Sequence, residues 1–154
     1  MNVFVSQTEN LVKAKLIRAL VGGFVGTVVF TLMGQFVAPN VIGQPMDVAA
    51  LLAPALGGSH TAGVIAHFVT GTVVFSIAYL IFGLRYLPGP AWLRGAIFLI
   101  PLYLVAMAVV MPVLGQGFFF GSPPKAMVAL MGHVVFGLCM GAIIGCDVGS
   151  DQAN

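Results

Sequence analysis

Charge is what this chain has least of. Only 6% of its 154 residues are Asp, Glu, Lys or Arg, against about 25% in an ordinary soluble domain. So few charges cannot cover a water-facing surface, which excludes the soluble globular class and leaves lipid as the solvent. Six basic and four acidic residues give a net charge of +2. That balance is too small to attract nucleic acid. Cysteine is scarce as well: Cys139 and Cys146 stand seven residues apart, without metal or redox spacing, and read as small packing residues. No acid falls inside an apolar segment, since Glu9, Asp47, Asp147 and Asp151 all flank them. An ion pump needs a buried carboxylate, so that class is disfavoured. Paired carboxylates, a glycine-rich phosphate loop and a serine–histidine–acid arrangement are missing too, and an enzyme is not expected.

What is present is apolar: 60% of the residues are hydrophobic. A membrane-spanning helix needs about 20 such residues. Four segments qualify, at residues 17–36, 62–84, 93–114 and 124–146, separated by "APNVIGQP", "RYLPGPAW" and "GSPPK". The expected fold is all-α, an integral membrane four-helix bundle filling one domain, residues 1–154. Pro101 should kink the third span, and Pro124 suits a first helical turn. The opening residues do not read as a signal peptide: charges run through Arg18 and no small-residue cleavage site follows a short apolar core.

Orientation follows from the basic residues. With four spans, Lys13, Lys15, Arg18, Arg85 and Arg94 share one side and Lys125 lies opposite. The positive-inside rule puts both termini in the cytoplasm. Tyr86 and Trp92 flank the inner loop, as interfacial aromatics do. The first outer loop contains "MDVAALLAPALGGS", which predicts a short interfacial helix with Asp47 in its first turn. Pro54 should bend or end it, and Gly58, Ser59 and His60 read as the cap before the second span. In the second outer loop, the phenylalanines of "GFFFGSPP" should dip into the headgroup region.

Within the spans, small residues recur every four positions: Gly22 and Gly26, Gly63 and Gly71 around His67, and Gly137, Gly141 and Gly145 after His133. Residues four apart share a helix face, and small residues let membrane helices approach closely. These glycines are therefore the expected packing positions, and the histidines on the same stripes face protein. "GTVVF" at 26–30 and 71–75, with "GHVVF" at 132–136, forms a weak internal repeat. It is the only support for a small-solute transporter.

His67 and His133 fall at similar depth on helices running in the same direction. Three roles fit them. In the first, each hydrogen-bonds a neighbouring helix, with Thr27, Thr31, Thr70, Thr72 and Tyr79 as partners. Together they fit the axial ligands of a b-type haem, although Lys125 is the only base on that side to meet its propionates. The site also fits copper, or a quinone or proton path. Met107, Met111, Met127 and Met131, with His60 and Met46 in the outer loop, supply soft ligands. The structural role is the expected one, with no cofactor.

"HFVTGTVVFSIAY", "LPGPAWLRG", "MPVLGQGFF" and "GHVVFGLCMG", taken in order, resemble a family of small bacterial inner-membrane proteins classed as a domain of unknown function. The resemblance implies a four-helix bundle and groups His67, residues 88–90, Pro112 and His133 in one design. It implies no activity. The function expected is an accessory or assembly subunit of a larger membrane complex, with a respiratory complex as the setting considered. The bilayer and other membrane subunits, or further copies of the chain, are the expected partners. A haem- or metal-binding electron-transfer protein using His67 and His133 is the alternative.

Overall fold

A computed structural model describes residues 2–145. Among them every regular element is helical, and four helices are long and apolar enough to cross a membrane. We label them α1 (Glu9–Ile42), α3 (His60–Tyr86), α4 (Ala91–Val113) and α5 (Pro123–Ile144). Between α1 and α3 lies a short helix, α2 (Val48–Leu52). Cys146, the last residue expected in the fourth span, lies outside the described residues, as do Asp147 and Asp151.

The first span differs most from its sequence boundaries. The helix begins at Asn2 and runs through Pro39 to Ile42, so "APNVI" is not a break. A proline inside a helix lacks a donor and clashes with the carbonyl four residues back. Here the turn before it, Met33–Val37, is π-helical, and the wider turn accommodates the ring. Gly43, with φ 73°, then ends the helix in the left-handed region. Pro112 repeats the device, following a π-turn at Ala106–Val110. Pro101 does not interrupt its span, since the segment Ala91–Val105 continues through it.

Span α5 packs along both α1 and α4, and glycines make these contacts close. A Cβ on Gly22 would meet the backbone of Met140, and one on Gly26 the ring of Phe136. One on Gly137 would collide with Gly95, and one on Gly141 with Ala91. Span α3 leans on α1, where Gly71 receives the Thr27 hydroxyl and Gly23 faces Ser76. Gly63 lies against the backbone of Ala49 in α2. Gly145 departs from the expected stripe: nothing lies near it, and its φ of 76° marks it as the residue that ends α5. Gly95 and Gly23 are packing positions that the stripe omits. Ala91 and Gly95 show the same four-residue spacing and were the available signal.

The buried core has two centres. One gathers Tyr79, Phe98, Leu99, Phe136 and Met140; the other gathers Met46, Tyr103, Met107, Met111, Val128 and Ala129. Span α3 meets α4 chiefly at its Tyr79–Gly83 turn. Tyr79 packs edge-on to Phe98, with ring centroids 5.4 Å apart, and donates to the Ala91 carbonyl at 3.3 Å. Toward the α2 end the two helices are not packed together, and a gap opens between them.

Candidate functional site: a cavity beside two histidines

That gap leads into a cavity of about 380 Å³, within the common size of small-molecule sites. His67 and His133 both line it, as their similar depth predicts. Four phenylalanines, Phe30, Phe75, Phe120 and Phe136, contribute to its wall, and so do Met46, Met107 and Met111. The α2 residues Val48, Leu51 and Leu52 cover one end. On the side of the gap the lining includes Thr70 of α3 and Val105 and Val110 of α4, all exposed. These residues lie on the outside of the bundle, so the cavity opens between α3 and α4.

Each histidine has one nitrogen engaged. His133 Nδ1 lies 2.8 Å from the carbonyl of Ala129, one turn back on its own helix. A carbonyl only accepts, so Nδ1 carries the proton, and the uncharged ring keeps a lone pair on Nε2. This corrects the expectation of a partner on a neighbouring helix. His67 does cross to another helix: its Nε2 lies 3.2 Å from the Thr31 hydroxyl. Thr31 donates its single proton to the Thr27 carbonyl at 2.9 Å. His67 Nε2 is therefore the donor, and Nδ1 keeps the lone pair. Of the other expected partners, Thr27 donates to Gly23 and Tyr79 to Ala91. Phe30 touches both imidazoles, with centroids 5.8 Å from His67 and 5.1 Å from His133.

The glycine four residues after each histidine is a packing position, with Gly71 pressed on Thr27 and Gly137 on Gly95. The four expected methionines do not converge. Met107 and Met111 are 2% and 6% exposed and line the cavity, whereas Met127 and Met131, 63% and 46% exposed, face outward. His60 is held elsewhere: its Nε2 donates to Asp47 Oδ2 at 2.9 Å. Among the described residues no group of three or more His, Cys, Asp or Glu side chains is placed to hold a metal ion.

The His60–Asp47 pair ties the start of α2 to the start of α3. Asp47 is the cap itself rather than a first-turn residue, its Oδ1 accepting from the amides of Ala49 and Ala50. Ser59 caps α3 through Ala62, as the sequence predicts. Burial raises the Asp47 carboxyl, but the His60 hydrogen bond, the Ala50 amide, the His60 charge and the Ala49 amide outweigh it. The group is held below its ordinary value of 3.8. A depressed carboxyl contributes stability above its unfolded value and loses it as pH falls through the folded one. A spin label at exposed position 50 should therefore stay immobile at neutral pH and gain mobility only below about pH 4. In Asp47→Ala it should be mobile throughout. A label that remains immobile in that variant would show that Asp47 does not hold α2.

Fold and site together define a multi-pass helical membrane protein with a laterally open interior cavity. The chain belongs to DUF6789, a family of unknown function, whose model matches residues 13–153. No curated protein and no solved structure matches it.

Proposed function

We propose that this chain is an accessory subunit of a larger membrane complex and that it holds a lipid-soluble small molecule beside His67 and His133. One observation carries the reading: an otherwise apolar cavity, open to the bilayer between α3 and α4, is lined by two imidazoles that each keep a free nitrogen. Both imidazoles are part-buried, and a ligand in the cavity would give their remaining nitrogens a partner. Size supports the subunit role, since the loops between the described spans are short. The packing glycines lend it no support, because they are spent on contacts inside the bundle.

The test is saturable binding of an alkyl-naphthalene probe, which is fluorescent and has no hydrogen-bonding group. Ala106 lines the cavity, and Ala106→Trp would fill it. The wild type should bind the probe and the variant should not, with both equally stable. Equal binding by both would remove the cavity as the site.

Haem is the second reading, favoured by the presence of both histidines on one cavity. Axial ligation through His67 Nε2 would break its bond to Thr31. We expect protein expressed with ample haem to be colourless. A sharp Soret band that disappears in both His67→Ala and His133→Ala would replace the lipid-soluble ligand with haem.

The orientation we propose puts the termini in the cytoplasm of a bacterial cell, the chain in its inner membrane and α2 at the outer interface. Lys13, Lys15, Arg18, Arg85 and Arg94 support it. Reporters fused after Arg85 and after Asn154 should be cytoplasmic, and one inserted within 43–59 should be external. The opposite pattern would place the cavity in the inner leaflet.

A further inference from the structure

Resting on that reading of the cavity, we infer that the ligand is a hydroquinone-type ring whose two hydroxyl groups donate to His133 Nε2 and His67 Nδ1. The argument begins with the protons. The Ala129 carbonyl can only accept, so uncharged His133 can offer a ligand only its Nε2 lone pair. A ligand carbonyl placed there would face a second acceptor, whereas a hydroxyl would make a hydrogen bond. His67 is set the same way by a different route. Thr31 spends its proton on Thr27, takes the His67 Nε2–H, and leaves Nδ1 as the acceptor.

Two acceptors on two helices of one cavity call for two donors on one body. The phenylalanines of the wall indicate an aromatic body, since ring pairs gain from stacked and edge-on contacts. His133 already meets Phe30 edge-on, and His67 meets it at a tilt. The gap beside Val105 and Val110 gives an alkyl or isoprenoid tail a route to the lipid. A benzoquinol with an apolar tail meets all of these requirements, and its oxidised quinone meets all but the donors.

The experiment uses the full chain in detergent, under anaerobic conditions, with three probes of one shape: a short-chain alkyl benzoquinol, its quinone and its dimethyl ether. The quinol should bind about tenfold tighter than either of the others, the gain expected from two uncharged hydrogen bonds. A glutamine at 133 offers both a donor and an acceptor, so His133→Gln should cut the quinol's advantage over the quinone to that of the remaining His67 hydrogen bond, about threefold. If that variant does not fold, the wild-type ratio decides the matter alone. Equal affinity for the three probes would overturn the inference and leave the cavity an apolar site. Failure of all three probes and of the alkyl-naphthalene would overturn both this inference and the binding reading beneath it.

Discussion

Gly137→Leu should leave almost no folded protein in detergent, while Ala142→Leu, five residues along the same helix, should fold normally. A Cβ at Gly137 would collide with the carbonyl of Gly95 and crowd Ala96. Those atoms are helix backbone and cannot rotate away as a side chain tip can. Overpacking a core against movable side chains costs about 1–3 kcal/mol. Here α4 and α5 would have to separate along their whole contact, so the loss should exceed that range. Ala142 is exposed, and a surface change of this kind stays within about 0.5 kcal/mol. Thermal unfolding of purified variants reads the difference. A Gly137→Leu protein as stable as the Ala142→Leu protein would show that the two helices do not meet there.

Tyr79→Ala should cost about 3–5 kcal/mol, the range for removing a large buried aromatic. Tyr79 is fully buried, 0% exposed, and its ring and hydroxyl both reach α4. This turn is where α3 meets α4, below the gap that opens the cavity. The variant should therefore also loosen the cavity. Probe binding in the surviving folded fraction should weaken, although position 79 lies outside the lining. Tyr79→Phe keeps the ring and loses the hydrogen bond to Ala91, a loss of about 0.5–1.5 kcal/mol, and should leave the probe bound. Equal losses in the two variants would assign the effect to the hydroxyl rather than to the packing.

By itself the sequence determined the class of this protein, the number of its spans and most of their limits. These depend on how many consecutive residues prefer lipid to water, and that quantity sums along the chain without reference to any neighbour. It also revealed the caps, since Asp47 and Ser59 act on amides two and three residues away. In the sequence Pro39 reads as a boundary, because the π-turn that accommodates it is a property of backbone winding, with no residue-type signal of its own. Depth along two parallel helices was enough to bring His67 and His133 to one cavity. The tertiary structure alone decided what they can do there. Whether an imidazole offers a proton or a lone pair depends on the partner of its other nitrogen. For His133 that partner is a carbonyl, and for His67 it is a hydroxyl already committed to Thr27. The same holds for the glycines. Spacing placed Gly137, Gly141 and Gly145 on one stripe, but only the position of α4 separates the two that carry a helix contact from the one that ends the helix.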